Sequence, residues 1–205
     1  MVRVSAGRHS ERHPPGPIPR SHDPSMDYQQ RLSAEWYEYQ GYFVHTDLWV
    51  GLESDGSYEC ELDVVAFHPL RRHLVHLEPS FDLLSWQERE QQFEPKFAAG
   101  RKYLHRLFGS EEQVHLEQIA LIVADEETPR TIAGARLLRL SDFIASMLEA
   151  LSTFDMAEAV VPEQWPLVRT LQLVAAYRAR LVPLLGRGVQ QPAAMTPAWR
   201  AAEPR

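Results

Sequence analysis

Two carboxylates, Asp63 and Glu78, are the residues whose types and spacing first suggest chemistry in this 205-residue chain. Each lies in a run of strand-forming residues, and four residues, 69–72, separate the two runs. If those four residues close an antiparallel hairpin, His68 pairs with His73 and, counting outward, Asp63 lies opposite Glu78. Two acids so placed repel each other unless a cation or a shared proton lies between them. The spacing therefore predicts a carboxylate pair that binds a cation.

The chemistry of this pair favours a hard divalent cation. Carboxylate oxygens suit Mg²⁺ or Mn²⁺. Strand alternation places Glu61 on the same face as Asp63, together with Val65 and Phe67, so that face is expected to be half-buried. The alternative is that the acids lie on the solvated face of an edge hairpin.

The elements that must position the acids follow from hydrophobic periodicity and turn signals. Asp55-Gly56 marks a hairpin turn, and Ser85 with Glu88 forms a capping-box pattern at a helix start. A kink or two abutting helices are expected at Pro95, and Ser141 is predicted to cap a later helix. Helices are predicted over 27–40, 85–109, 141–152 and 166–184, and strands over 42–52, 58–68, 74–80, 119–123 and 135–140. This order predicts an α/β fold with a central mixed sheet of about five strands, flanked by helices.

Asp63, the hairpin, and Glu78-Pro79-Ser80 at the end of the next strand together resemble the PD-(D/E)XK, or restriction-endonuclease-like, superfamily over about residues 30–150. The resemblance implies an α-β-β-β-α-β core and hydrolysis of phosphodiester bonds in DNA. It also implies that Asp63 and Glu78 are the ligands of Mg²⁺ (or Mn²⁺). Glu35 or Glu38 on the first helix matches an accessory acid found in some branches.

The chain departs from the family pattern at Ser80, where the family has a lysine. That lysine orients the attacking water and stabilises developing negative charge. Some members carry it on the following helix, where this chain has Lys96 and Lys102. Either one of these two lysines supplies the cation, or the site is catalytically dead.

Basic residues elsewhere suggest contacts with a phosphate backbone. Arg71 and Arg72 lie at the predicted hairpin tip, and Arg101 lies within the locally basic segment 96–106. We expect these three arginines to bind nucleic acid, most plausibly DNA. The alternative for 96–106 is a solvated helix face beside the acids of 88–94.

Other potential ligands and nucleophiles give weaker signals. His68, His73 and His76 suggest zinc, but neither a cysteine nor another histidine lies near enough in sequence to complete a tetrahedral site. Cys60 alternates with apolar residues and is predicted to be a small core residue. In the last helix, an apolar stripe is predicted to be core, with a dimer contact as the alternative; its residues are Leu167, Leu171, Val174 and Leu181.

Composition bounds the organisation of the chain. The formal net charge is −7, which argues against a protein coated in basic surface. Residues 1–26 contain five prolines and few apolar side chains, so they and 186–205 are predicted to be disordered tails around one domain, 27–185. A single cysteine and the absence of a signal peptide or a membrane span predict a cytoplasmic protein.

Three functional hypotheses follow from the sequence. The first is a Mg²⁺-dependent nuclease acting on DNA, and the second is a catalytically degenerate relative that binds nucleic acid or a protein partner. The third is an unrelated α/β interaction module whose acids are merely solvated. The position of a lysine amine relative to Asp63 and Glu78 discriminates among them.

Overall fold

The computed structural model describes residues 28–81, 84–108, 114–124, 129–153 and 159–185. The two predicted tails, 1–26 and 186–205, lie outside the described residues. None of the described helices is long and apolar enough to cross a membrane.

The described residues form five α-helices and six strands. In chain order the elements are α1 (Tyr28–Tyr39), β1 (Phe43–Leu52), β2 (Tyr58–His68), β3 (His73–Ser80), α2 (Trp86–Tyr103), a 3₁₀ helix (Leu104–Phe108), β4 (His115–Ile122), β5 (Thr131–Ile132), β6 (Ala135–Arg139), α3 (Leu140–Ser152), α4 (Pro166–Ala176) and α5 (Arg178–Leu185). The α/β class predicted from the sequence is confirmed.

One open mixed sheet contains all six strands in the order β1-β2-β3-β4-β6-β5. The first three strands form the predicted antiparallel meander, whereas β4 is parallel to both β3 and β6. The sixth strand is β5, which pairs antiparallel with β6 through two residues. A strand of two residues has no measurable periodicity, so the sequence analysis counted five.

The register of the β2–β3 hairpin agrees with the prediction. His68 pairs with His73, and the ladder continues to Val64 opposite Leu77. The turn between the strands contains Arg72 in the left-handed region, at φ 50°. The next position along the ladder places Asp63 beside Glu78.

Helices cover both faces of the sheet. On one face α1, α3 and α4 share a core with the alternate residues Ile119 and Leu121 of β4. On the other face Phe93 and Phe97 of α2 pack against Ala120 and Ile122, the intervening residues of the same strand. Burial on both faces explains the continuous apolar run in β4, as predicted.

Side-chain alternation along β2 is not regular. Cys60 and Leu62 belong to the same apolar cluster as Val65, whereas strict strand alternation would put them with Val64 on the opposite face. The β1–β2 register is the same on both sides of Asp47 and Asp63, but these two opposed residues are not among its pairs, and Asp47 has a φ of 55°. The side chains change face at this point, so the prediction from strict alternation was wrong for this end of β2.

The helix ends agree with the prediction in part. The capping box of Ser85 and Glu88 is present at the start of α2. This helix continues through Pro95, so two abutting helices were a wrong expectation. Helix α3 begins at Leu140 after Arg139, without a side-chain cap, so the cap predicted at Ser141 is also wrong. The last predicted helix is divided into α4 and α5.

Candidate active site

Three charged side chains meet on the face of the sheet that α2 covers. The Nζ of Lys96 lies 2.5 Å from Oδ1 of Asp63 and 2.5 Å from Oε2 of Glu78. The ammonium therefore bridges the two carboxylates. We refer to Asp63, Glu78 and Lys96 as the triad.

Each member of the triad lies on a regular element. Asp63 is in β2, Glu78 is in β3 and Lys96 is near the middle of α2. Buried Phe93 and Phe97, three residues before and one after the lysine, attach α2 to the sheet. This packing sets the rotation of the helix, and with that rotation Lys96 reaches the hairpin.

Glu78 is the most enclosed member of the triad, with a side chain that is 0% exposed. Its Oε1 accepts the backbone N–H of Asp63 at 3.0 Å and lies 2.7 Å from Nε2 of His76. Its Oε2 faces Lys96. The Asp63 side chain, which contacts the same ammonium, is 24% exposed. The site therefore has one buried acid and one acid that solvent reaches.

The triad contains two carboxyl groups and one ammonium, so a single lysine does not neutralise both acids when they are ionised. Burial, and then the nearby Glu78, raise the pKa of Asp63 to about 7. Burial also raises the pKa of Glu78. For Lys96 burial by itself would lower the pKa, but the two carboxylates outweigh it and the pKa is raised. One ammonium between two acids favours a shared proton or a second cation.

A second layer of polar residues supports Glu78 from the interior. His76 is completely buried, and burial lowers its pKa to about 3, so the ring is neutral. Its Nδ1 lies 3.0 Å from Nε2 of Gln118, the residue beside it in the parallel ladder. Gln118 Oε1 in turn accepts a hydrogen bond from Arg101. Because strand alternation predicts only the face, neither His76 nor Gln118 was singled out for this role.

The other predicted basic residues lie apart from the triad. Lys102 forms an ion pair with Glu59, with 2.6 Å between Nζ and Oε2. Arg101 donates to Gln118 and to the backbone oxygen of Ala133. The structure thus brings Lys96, rather than Lys102, to the carboxylates, and it gives Arg101 intramolecular partners.

The arginines predicted at the hairpin tip, Arg71 and Arg72, are both exposed there. The backbone N–H of Arg71 donates to Nδ1 of His68.

The first-helix acids contact a different element. Oε2 of Glu35 accepts the backbone N–H groups of Leu167 and Val168, at 2.7 and 3.4 Å, at the start of α4. Glu38 accepts a hydrogen bond from the indole of Trp165. Both acids therefore attach α1 to α4, and neither contacts the triad in the described structure.

Two more predicted site residues, Glu61 and Ser80, lie two positions from Asp63 and Glu78 along their strands. Burial, followed by repulsion from Asp47 and Asp63, raises the pKa of Glu61. Ser80 is buried at the end of β3.

Asp47 and Gln30 are two further residues beside the triad that sequence patterns did not predict. The side-chain nitrogen of Gln30 donates to Oδ1 of Asp47 at 2.6 Å and to the backbone oxygen of Asp63 at 2.9 Å. Through Gln30, helix α1 thereby contacts a side chain of β1 and the backbone of β2 beside the acids. Asp47 has a positive φ of 55°, which no sequence pattern predicted.

The two carboxylates of the triad supply the oxygen ligands that a Mg²⁺-type ion takes. One point between Asp63 and Glu78 already holds a cationic nitrogen at 2.5 Å from both carboxylates. Mg²⁺ binds oxygen at about 2.0–2.1 Å and keeps several waters, so one or two carboxylates suffice. Among the described residues no group of three or more His, Cys, Asp or Glu side chains could hold a metal.

The zinc hypothesis is not supported by the arrangement of the histidines. His76 is buried against Glu78, whereas Nδ1 of His73 lies 2.8 Å from the hydroxyl of Tyr42. The two rings therefore serve separate hydrogen-bond networks.

Comparisons of the chain with models of known families, with curated proteins and with solved structures gave no match. The functional assignment therefore rests on the geometry of the triad.

Proposed function

We propose that the protein is a metal-dependent nuclease that hydrolyses phosphodiester bonds of DNA. The observation that carries the proposal is the position of Lys96, whose amine contacts both Asp63 and Glu78. A lysine on the helix after the hairpin thus takes the place of the one that Ser80 replaces in the family pattern. The arrangement of strands supports the restriction-endonuclease-like topology, because an antiparallel meander leads through α2 into a parallel strand.

Asp63 and Glu78 would hold a Mg²⁺ or Mn²⁺ ion. When bound, such an ion polarises the phosphate and lowers the pKa of a coordinated water. Lys96 would then be released from part of its ion pairing, and its ammonium would stabilise negative charge on the phosphoryl oxygens. Glu78 stays fixed by its bonds to the interior, while partly exposed Asp63 faces the substrate.

A second candidate is a nuclease-fold protein that binds nucleic acid or a protein partner without hydrolysis. The observation that favours it is the complete burial of Glu78, both of whose oxygens already have hydrogen-bond partners. In that case Lys96 would be a permanent structural counterion. A metal would then have no ligand beyond Asp63.

Cleavage of plasmid and single-stranded DNA with Mg²⁺ or Mn²⁺ tests the proposal. Asp63→Ala and Lys96→Met should each lower the cleavage rate by roughly 10²–10³-fold, because each removes charge that acts on the reacting phosphate. Lys102→Met is the matched control, since Lys102 pairs with Glu59 on the exposed surface of the same helix. Its rate should stay within about threefold of wild type.

Three outcomes separate the candidates. Activity that survives Asp63→Ala unchanged would remove the proposed site. A loss in Lys102→Met equal to that in Lys96→Met would mean that general basicity of α2, rather than the triad, is required. Wild-type protein that binds DNA but cleaves none with either ion would favour the second candidate.

A further inference from the structure

We infer that His76 is a positioning residue that orients Glu78 for the metal, and that Gln118 keeps the His76 ring in the required tautomer. The inference rests on the proposed function, because it assigns a role at the same site. It concerns the layer formed by buried His76 and half-buried Gln118, which acts through Glu78.

The first observation is that the two oxygens of Glu78 have different partners. Oε1 is occupied by the backbone N–H of Asp63 and by Nε2 of His76, at 3.0 and 2.7 Å. Oε2 is left facing Lys96. Two donors on one oxygen prevent rotation of the carboxylate about its last bond, so the other oxygen stays directed toward the cation site.

The second observation sets the proton positions on His76. Gln118 Oε1 lies 3.0 Å from Nη1 of Arg101, which is only a donor, and Gln118 Nε2 lies 2.9 Å from the backbone oxygen of Phe97, which is only an acceptor. These two partners fix which end of the amide is nitrogen. The nitrogen therefore donates to Nδ1 of His76, which must carry a lone pair.

It follows that the proton of the neutral ring lies on Nε2, where it is donated to Glu78 Oε1. A chain of hydrogen bonds thus runs from Arg101 through Gln118 and His76 to Glu78. Hydrogen bonds from outside the ligand shell orient metal ligands and typically change metal affinity by about 10–100-fold when removed.

The third observation is that α2 packs closely against the His76 ring. The ring contacts that of Phe97 edge-on, with 5.2 Å between the centroids. A Cβ added to Gly100 would lie 2.3 Å from Nδ1 of His76 and 2.8 Å from Nε2 of Gln118. Glycine at this position therefore lets α2 approach closely enough to hold both side chains in place.

The test compares His76→Leu with His76→Gln in the full-length protein. Glutamine can place a side-chain N–H near the position of Nε2, whereas leucine fills the space without a donor. We expect His76→Leu to weaken Mn²⁺ binding by roughly 10–100-fold and His76→Gln to restore most of that loss. Mn²⁺ affinity is measured by calorimetric titration. The thermal midpoint is measured for each variant and should differ little between His76→Leu and His76→Gln.

The tautomer is tested separately by ¹⁵N-detected NMR of the histidine rings, with His76→Gln to identify the His76 signals. The wild-type spectrum should show a protonated Nε2 and an unprotonated Nδ1. Gln118→Glu replaces the donor to Nδ1 by an acceptor, so it should shift the proton to Nδ1 and weaken Mn²⁺ binding by a similar factor. A protonated Nδ1 in the wild type would contradict the inference.

Failure of the inference and failure of the proposed function give different results. Equal Mn²⁺ affinity in His76→Leu and wild type, with DNA cleavage retained, would remove the role of His76 and leave the nuclease proposal intact. Wild-type protein that neither binds Mn²⁺ nor cleaves DNA would overturn the proposed function, and the role given to His76 with it.

Discussion

At the scale of single residues, the main feature is one lysine shared by two acids. Burial raises the pKa values of Asp63 and Glu78, so the folded protein holds these charges at some cost in stability. Such a cost is common at sites adapted for function, where a group is held ready for a ligand rather than for stability. The pH dependence of the free energy of unfolding should reveal this cost.

Asp63→Asn should remove the loss of stability that the Asp63 carboxyl causes as the pH rises. The pKa of Asp63 is raised from 3.8 to about 7 in the folded protein, so the folded state binds more protons between these values. The contribution of Asp63 is therefore present below about pH 4 and is lost as the pH rises through 7. The free energy of unfolding of Asp63→Asn minus that of wild type should increase from pH 4 to 7, by at most about 1.4 kcal/mol per pH unit.

Urea denaturation of both proteins at several pH values measures this difference. Subtraction is needed because the pKa of buried His76 is lowered to about 3, which gives the opposite slope between pH 3 and 6.5. A difference that is constant across the range would show that Asp63 has an ordinary pKa.

At the scale of elements, the packing of α2 decides which side chains meet. Phe93 and Phe97 anchor the helix, Lys96 reaches the acids, and Gly100 allows contact with the buried layer. A different rotation of this helix would separate the lysine from the carboxylates. Helix α1 has a comparable role on the other side, because Glu35 attaches it to α4.

Gly100→Ala should destabilise the protein by about 1–3 kcal/mol, because the added Cβ collides with the His76 ring. An ordinary Gly→Ala change within a helix instead stabilises by roughly 0.5–1 kcal/mol. The matched control is Ala98→Gly, at an exposed position of the same helix, which should lose about 0.5–1 kcal/mol. Chemical denaturation measures all three, and a stabilised Gly100→Ala protein would show that the helix has room to move.

Glu35→Gln should lower stability without changing the activity of the folded protein. The substitution weakens charge-assisted bonds to the first N–H groups of α4, a loss of about 0.5–2 kcal/mol. Glu38→Gln is the control, since Glu38 accepts one solvent-exposed hydrogen bond from the indole of half-buried Trp165, and its effect should be smaller. A large loss of DNA cleavage in Glu35→Gln at unchanged stability would instead return Glu35 to the accessory role implied by the family resemblance.

At the scale of the whole molecule, the sheet separates structural and chemical faces. The face under α1, α3 and α4 holds the largest apolar cluster, whereas the face under α2 holds the triad and the buried polar layer. Binding of an ion to the second face should therefore stabilise the entire fold, because both carboxylates belong to the central hairpin.

Saturating Mn²⁺ should raise the thermal midpoint of the wild type. An ion present at about 100 times its dissociation constant stabilises by about 2.7 kcal/mol, which corresponds to roughly 5–10 °C for a domain of this size. Asp63→Asn should show little or no shift, and Lys102→Met should respond as the wild type does. Equal shifts in all three proteins would indicate binding outside the triad.

Much of this fold could be predicted from local patterns. Period-two runs and a four-residue turn gave the register of β2 and β3, because the turn length and the buried face leave one pairing. The capping box gave the start of α2 for the same kind of local reason. Strand β5 and the irregular end of β2 were missed, since a two-residue pairing and a residue with positive φ such as Asp47 leave no periodic signal.

The candidate site, too, could be predicted only where its contacts are local in the sequence. The facing of Asp63 and Glu78 is a property of one hairpin, so residue spacing was sufficient to predict it. The choice of Lys96 over Lys102 was not local: it depends on how Phe93 and Phe97 rotate α2 against the sheet.

The contact between His76 and Gln118 could not be predicted from local sequence patterns either. These residues are 42 apart in the chain and meet only because β4 lies parallel to β3 after a crossover through α2. Sequence patterns carry information about neighbours within a strand, a turn or a helical turn. Side chains brought together by the packing of distant elements are decided by the tertiary structure alone.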